Sequence, residues 1–148
     1  MFDTTTTTIA AVLADERDAI ANMANVASLL FHTLHDVNWV GFYRFDGKEL
    51  VLGPFQGKPA CIRIALGRGV CGSAAEQRMT LVVDNVAEFP GHIACDVASR
   101  SELVIPMFNG EDLVGVLDLD SPKQARFSVD DARMCEDVVR LLVEGSDW

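Results

Sequence analysis

Apolar residues recur at spacings of three and four in the first 36 residues of the chain, which is the period of an amphipathic helix. The longest such face predicts a helix and consists of Ile20, Met23, Ala27, Leu30 and Leu34. A shorter helix is predicted before it, because Asp3 and the threonines that follow can cap a segment containing Ile9. The period returns over residues 128–143, where Ser128 can cap a last helix.

Between residues 38 and 120 the pattern changes to short apolar runs that are separated by turn residues. Asp46-Gly47 and Asn109-Gly110 are signals for tight β-hairpins. Six strands are predicted, at residues 38–45, 50–55, 60–64, 80–84, 103–108 and 113–120. We therefore expect an α+β fold, a single domain over residues 1–148. Its N-terminal helices (1–36) and C-terminal helix (128–143) should pack against a central, mostly antiparallel sheet (38–120), which also carries the functional loops.

The charge balance of the chain narrows the classes of partner. With 22 acidic against 12 basic residues, the formal net charge is −10, which argues against binding to nucleic acid or to anionic membranes. Hydrophobic residues make up 49% of the chain, but no run approaches the roughly 20 apolar residues of a membrane span. That apolar surface must therefore enter a core or an oligomer interface. The N-terminus lacks the features of a secretory signal, so we expect a cytoplasmic protein whose four cysteines are reduced at rest.

Three of the four cysteines, Cys61, Cys71 and Cys95, lie in or beside irregular segments that contain glycine. Their spacing forms neither a C-x-x-C pair nor a zinc knuckle, so no metal is expected on cysteine. Several thiols in a reducing compartment favour a redox cycle, in which one thiol attacks and another resolves it as a disulfide. The fourth, Cys135, lies inside the last predicted helix and is expected to be buried and inert.

The sequence offers two candidates for the attacking thiol. Cys71 lies near a helix N-terminus, which stabilises a thiolate. Cys95 lies in residues 89–103, which have no clean period and are expected to form an ordered functional loop. His92 lies three residues before Cys95 and Arg100 five after it, and either could also stabilise a thiolate. The residue pattern does not choose between the two cysteines.

An acidic group and an aromatic group supply further candidates. Asp118 and Asp120 alternate with leucines on a predicted strand, so both carboxylates share one face. If Glu102, at the start of the neighbouring strand, lies beside them, the three could hold an ammonium group, and crowding could keep one carboxyl protonated as an acid. Calcium or magnesium would also suit oxygen ligands, and a solvated strand end is the plainest alternative. Trp39 and Tyr43 share a strand face and could wall a pocket or belong to the core.

Five stretches of the chain together resemble the free methionine-(R)-sulfoxide reductases. These stretches are Asn38-Trp39-Val40-Gly41-Phe42-Tyr43, Gly53-Pro54-Phe55-Gln56-Gly57-Lys58-Pro59-Ala60-Cys61, Gly67-Arg68-Gly69-Val70-Cys71-Gly72, Phe89-Pro90-Gly91-His92-Ile93-Ala94-Cys95-Asp96 and Gly115-Val116-Leu117-Asp118-Leu119-Asp120-Ser121-Pro122. The resemblance covers almost the whole chain. It implies the GAF-domain fold, which most other proteins use to bind small ligands as sensors, so the fold alone does not reveal the function.

The resemblance also implies roles for individual residues. The catalytic cysteines would be Cys95 as nucleophile and Cys61 as resolving thiol, with Cys71 as an alternative or relay. The substrate-binding residues would be Trp39 and Tyr43 as pocket wall and Glu102, Asp118 and Asp120 as the carboxylates. No metal site and no bound cofactor are implied.

The substrate implied by the resemblance is the R epimer of free L-methionine sulfoxide, reduced by sulfenic acid and disulfide chemistry. Thioredoxin would be the reductant, supplied with electrons from NADPH by thioredoxin reductase, and the protein would be a homodimer. A non-catalytic GAF sensor for a small amino acid or nucleotide is the rival class. Sensors usually accompany output domains, however, and 148 residues leave room for none. A metal-dependent lyase or hydrolase has only the acidic group in its favour.

Overall fold

The computed structural model describes residues 3–92 and 98–148. Four α-helices are formed: α1 (Thr4–Leu13), α2 (Ala19–Thr33), α3 (Gly69–Gln77) and α4 (Val129–Glu144). A short 3-10 helix covers Val86–Glu88. Six strands are formed: β1 (Trp39–Phe45), β2 (Glu49–Gly57), β3 (Arg63–Ala65), β4 (Leu81–Val83), β5 (Ser101–Asn109) and β6 (Asp112–Ser121).

The six strands form one sheet in the order β3-β2-β1-β6-β5-β4, and every neighbouring pair is antiparallel. The long central strands β1 and β6 pair over six positions, from Trp39 opposite Asp120 to Arg44 opposite Gly115. Both predicted hairpins, β1–β2 and β5–β6, are present. The predicted α+β fold with a six-stranded antiparallel sheet is confirmed.

The third strand begins later than the sequence predicts. Its ladder covers only Arg63–Ala65, opposite Glu49–Val51, so Cys61 lies on the connection that precedes it. The reason is that the Cys61 carbonyl is engaged elsewhere, where it accepts a hydrogen bond of 2.9 Å from the Tyr43 hydroxyl. The segment before β3 is therefore held at two points: the Leu52 N–H of β2 donates to the Ile62 carbonyl at 2.9 Å, and the Tyr43 hydroxyl donates to the Cys61 carbonyl.

Alternation along the central strands gives the sheet two apolar faces. On the helix face, side chains pack against α1, α2 and α4; the sheet contributes Val40, Phe42, Leu103, Ile105, Met107, Leu117 and Leu119, all nearly or completely buried. The opposite face, which we call the pocket face, packs against α3 and carries Trp39, Tyr43, Leu50, Ile64, Val104 and Val116. Burial on both faces places the middle of the sheet in the interior of the domain.

Side chains cap the helices as the sequence suggests. Asp3 accepts a hydrogen bond of 2.8 Å from the Thr6 N–H at the start of α1. Ser128 and Asp131 form a reciprocal capping box at the start of α4. No helix within residues 3–92 and 98–148 is both long and apolar enough to cross a membrane.

Gly115 is required by the close pairing of β1 and β6. A Cβ atom added there would lie 2.2 Å from the Tyr43 carbonyl oxygen, a backbone atom that cannot move without breaking the ladder. We expect Gly115→Ala to lower the free energy of unfolding by about 2 kcal/mol or more, measured by urea denaturation. Gly110→Asn in the same hairpin is the control, because that position is open and asparagine tolerates its positive φ of 62°. A Gly115→Ala protein as stable as the control would contradict the steric argument.

Candidate active site

A cavity of about 50 Å³ lies on the pocket face, between the sheet, the start of α3 and the turn at residues 58–60. One water needs roughly 10–15 Å³, so this cavity has room for several water-sized groups and suits a small molecule rather than a polymer. Within the described residues it is lined by Trp39, Tyr43, Lys58, Pro59, Ala60, Ile64, Arg68, Gly69, Val70, Cys71, His92, Ser99, Glu102, Asp118 and Asp120. All the site residues named from the sequence line it, except Cys61, which adjoins Ala60, and Cys95, which lies outside the described residues.

Strand register brings the three predicted carboxylates together. Asp120 lies directly opposite Trp39 on β1 and opposite Glu102 on β5. Asp118, two residues earlier on β6, has the same orientation and lies opposite Gly41. The antiparallel ladder therefore fixes the acidic group on the pocket face without any help from loops.

The structure adds Cys71 to this acidic group. Its Sγ atom lies 3.8 Å from Oε2 of Glu102, and one donor atom each from Cys71, Glu102 and Asp118 lies within 4.8 Å of the other two. All three side chains are buried, with exposures of 4%, 8% and 5%. Oδ1 of Asp118 is buried and has no hydrogen-bond partner. We call these three residues the buried triad.

Burial sets the protonation of Cys71. It raises the pKa of the Cys71 thiol well above its usual value, and the charges of Asp118 and Glu102 raise it further. The expectation that the N-terminus of α3 would stabilise a thiolate at this position is wrong. The helix end is present, but desolvation and two neighbouring carboxylates outweigh it, so Cys71 is a neutral thiol at pH 7.

The carboxyl groups of the buried triad are also perturbed. Burial raises the pKa of Glu102 well above its usual value, and the charge of Asp118 adds to this. The pKa of Asp118 is raised by burial first and by the charge of Asp120 second. Because like charges in a dry site oppose one another's ionisation, the carboxyl groups of the triad keep a proton to a higher pH than exposed carboxyl groups do. Asp120 is only half-buried and forms the solvent side of the acidic group.

Trp39 and Tyr43 form one wall of the cavity, and hydrogen bonds to backbone carbonyls hold both side chains in place. The Trp39 indole N–H donates to the Lys58 carbonyl at 3.0 Å, and the Tyr43 hydroxyl donates to the Cys61 carbonyl at 2.9 Å. Their rings stack with centroids 6.0 Å apart. Burial raises the pKa of Tyr43, so its phenol stays neutral and keeps donating. Both aromatics thus fix the segment that carries Cys61.

Gly41 and Phe55 support the Trp39 ring without lining the cavity, and neither was identified as a site residue from the sequence. The ring of Phe55 stacks on Trp39 at a centroid distance of 5.3 Å. A Cβ atom at Gly41 would lie 2.3 Å from Phe55 Cβ and 2.6 Å from the Trp39 ring, so only glycine lets the two rings meet there. The available signal was a glycine between two aromatic residues on one strand face.

Three polar residues that line the cavity, Lys58, Arg68 and Ser99, were not candidates from the sequence, whereas His92 was. His92 also lines the cavity, and burial lowers its pKa. A lowered pKa leaves the His92 ring neutral at pH 7, so it adds no positive charge to the acidic site.

The cysteines divide into two environments. Cys61 is disulfide-bonded, while Cys71 and Cys135 carry free thiols. Cys135 is fully buried in the core of the helix face, where burial raises its pKa. The position expected to carry the nucleophile, Cys95, lies in residues 93–97, outside the described residues.

Comparison with known proteins agrees with this arrangement. A family model of the GAF domain matches residues 1–143. Protein YtsP of Bacillus subtilis (strain 168) is 54% identical over 79% of this chain and 73% of its own length. The free methionine-R-sulfoxide reductase of Escherichia coli (strain K12) is 46% identical over 89% of this chain and 80% of its own length.

A solved structure gives the same result in three dimensions. The free methionine-R-sulfoxide reductase of Neisseria meningitidis, in complex with its substrate, superposes with a TM-score of 0.92 at 45% identity, over 95% of this chain and 85% of that chain. Fold, sequence and the composition of the cavity wall therefore lead to one conclusion: this chain belongs to the GAF domain family and, within it, to the free methionine-(R)-sulfoxide reductases.

Proposed function

We propose that the protein reduces the R epimer of free L-methionine sulfoxide to L-methionine. The buried triad beneath an aromatic wall carries this proposal, because it sets carboxyl groups of raised pKa beside a pocket of small-molecule size. Relatives named as reductases of this substrate, one of them solved with its substrate bound, support it. A GAF sensor would need the pocket, but it would not need carboxyl groups of raised pKa beside a thiol.

Recognition of the free amino acid follows from the charge of the cavity. The ammonium group of the substrate finds a counter-charge in the acidic group, where Asp120 is accessible and Asp118 has an unpartnered oxygen. The sulfoxide methyl group packs against the rings of Trp39 and Tyr43. A methionine sulfoxide within a peptide lacks the ammonium charge, so the site discriminates against oxidised proteins.

Reduction of the sulfoxide is a two-electron transfer from a thiolate. The Cys95 thiolate attacks the sulfoxide sulfur as the sulfoxide oxygen takes up one proton. The S–O bond and the transient bond between the two sulfurs then break as the hydroxyl passes to the Cys95 sulfur, and methionine leaves. The oxygen ends on Cys95 as a sulfenic acid, so this cysteine is oxidised by two electrons and the substrate is reduced by two. Glu102 or Asp118 supplies the proton, since the raised pKa of each lets it donate near neutral pH.

Regeneration requires a second thiol and an external reductant. We assign the resolving role to Cys61, whose thiol condenses with the sulfenic acid to give a disulfide and water. Its disulfide-bonded state supports this role, and the raised pKa of Cys71 makes that thiol the poorer nucleophile of the two. A thioredoxin-type dithiol in the cytoplasm then reduces the disulfide, with NADPH as the ultimate electron source. The protein itself needs no bound cofactor for this cycle.

Cysteine variants separate the thiol roles. We expect Cys95→Ser to form no methionine in a single turnover without reductant, because a serine hydroxyl is not ionised at neutral pH. Cys61→Ser should release about one methionine per site and then stall as the sulfenic acid. Cys71→Ser should keep both steps. Methionine is quantified by chromatography after incubation with separate R and S epimers of the free sulfoxide.

The controls distinguish this enzyme from its rivals. Cys135→Ser, on the other face of the sheet, should cycle like wild type in an NADPH-coupled thioredoxin assay. Binding of the sulfoxide without any turnover would indicate a sensor. Methionine formation by Cys95→Ser, alongside none by Cys71→Ser, would transfer the nucleophilic role to Cys71.

Amide variants separate binding from proton donation. Asp120→Asn should raise KM about 10- to 100-fold with kcat largely kept, because a charged hydrogen bond contributes roughly 1.5–3 kcal/mol. One of the two variants Glu102→Gln and Asp118→Asn should instead lower kcat, because it removes the proton donor. In that variant kcat should no longer fall at alkaline pH. In wild type kcat falls as pH rises through the raised pKa, since only the protonated acid donates. Wild-type kinetics in all three variants would place the pocket elsewhere.

Folding of these variants is checked by thermal unfolding at about pH 5 and pH 8. When the pKa of a carboxyl group is raised in the folded state, the free energy of unfolding of the protein falls as the pH rises from the group's ordinary pKa through its raised pKa. Glu102→Gln and Asp118→Asn should therefore lose less stability than wild type between the two pH values. This pattern would exclude misfolding as the cause of a kinetic defect.

We also propose that the protein is a homodimer. Large apolar side chains remain exposed at helix ends, among them Val12 (39%), Ile20 (56%) and Val129 (66%), and at the C-terminal residue Trp148 (39%). Sedimentation equilibrium at micromolar concentration should give twice the chain mass of 16.1 kDa. A single species of the chain mass over that range would contradict the dimer.

A further inference from the structure

The buried triad lacks a positive partner. Neither Glu102 nor Asp118 belongs to any ion pair within residues 3–92 and 98–148. The cations that line the cavity, Lys58 and Arg68, are on exposed positions. A buried carboxylate oxygen without a hydrogen-bond donor, such as Oδ1 of Asp118, is costly unless something else occupies the site. The triad therefore suits a positive partner, which can be the substrate ammonium proposed above or another cation that competes with it.

The donor atoms of the triad match one kind of cation. In tetrahedral zinc sites the Zn–S distance is about 2.3 Å and the Zn–O distance about 2.0–2.2 Å, which separates neighbouring S and O ligands by about 3.5–3.7 Å. The observed distance from Cys71 Sγ to Glu102 Oε2 is 3.8 Å. The Asp118 carboxylate lies close enough to both for small side-chain rotations to close three donors on one ion.

We propose that the triad of Cys71, Glu102 and Asp118 binds Zn²⁺ and that the bound ion excludes the amino-acid substrate. Three protein ligands leave a fourth position open toward the cavity, as in sites that exchange their fourth ligand. Thiolate ligation favours Zn²⁺ over Ca²⁺ or Mg²⁺, which prefer oxygen alone. The Cys71 thiol proton, and any proton held by Glu102 or Asp118, is released to solvent when the three side chains coordinate the ion.

The zinc site does not use Cys95 or Cys61, the two cysteines to which the redox cycle is assigned. Cys71 is a free thiol while Cys61 is disulfide-bonded, so the triad keeps its three donors in the oxidised protein. Zinc binding to the oxidised protein therefore does not depend on the proposed reductase cycle. Only the competition with substrate rests on the proposed function.

Cobalt and zinc titrations of the oxidised protein test the site. Co²⁺ should give a near-ultraviolet thiolate-to-cobalt charge-transfer band that Zn²⁺ abolishes at one equivalent. Cys71→Ala should remove that band, and Asp118→Asn should weaken Zn²⁺ binding at least about tenfold in competition with a chromogenic chelator. Cys135→Ala is the matched control, because it removes the buried thiol of the other core and should bind like wild type.

The outcomes separate the zinc site from the reductase activity. Absence of the thiolate band, or its persistence in a folded Cys71→Ala protein, would overturn the zinc site. Circular dichroism establishes that each variant is folded. Asp118→Asn removes a different ligand, so weaker zinc binding in that variant cannot be an effect of the cysteine substitution alone. If zinc binds, it should raise KM for methionine-(R)-sulfoxide in wild type but not in Asp118→Asn. Unchanged KM in wild type at saturating zinc would overturn the exclusion of substrate, whereas a protein that binds zinc but never forms methionine would refute the reductase alone.

Discussion

The pairing of β1, β6 and β5 is the constraint on which the whole site depends. An antiparallel ladder fixes both the neighbours and the orientation of each side chain, so the position of Asp120 opposite both Trp39 and Glu102 is set by backbone hydrogen bonds. The helix face of the same strands is filled with leucine, valine, isoleucine and phenylalanine, which prevents any slip of register. A slip by one residue would turn the carboxylates into the core. Packing on the helix face thus fixes the positions of the carboxylates on the pocket face.

Burial of like charges is the second constraint, and the buried carboxyl groups lie at the cavity. Glu102 and Asp118 are among the few charged residues that are buried in the described parts of the chain. Such groups reduce stability, yet burial raises the pKa of each and gives the site a carboxylic acid of the kind that the proposed reaction requires. The free energy that stabilises the domain comes from the two apolar clusters, which surround this site on both sides of the sheet.

Much of this organisation could be predicted from the sequence, and the failures have physical reasons. Period-2 alternation was enough to place Asp118 and Asp120 on one face, and turn residues were enough to find the hairpins. The protonation of Cys71 could not be predicted, because local sequence showed a helix end but not the carboxylates that distant strands bring to it. Phe55 was missed for the same reason: its contact with Trp39 depends on register across β1 and β2.

The sheet separates the two free thiols of the described residues, Cys71 and Cys135. Cys71 belongs to the pocket face and Cys135 to the helix face, with a layer of paired backbone between them. Thiol–disulfide exchange requires a thiolate to approach the disulfide along a direct path, and a continuous ladder leaves no such path. The chain can therefore keep a cysteine in its core without risk of scrambled pairing. The sheet thus separates Cys135 from the face on which the proposed oxidation and reduction of cysteine would take place.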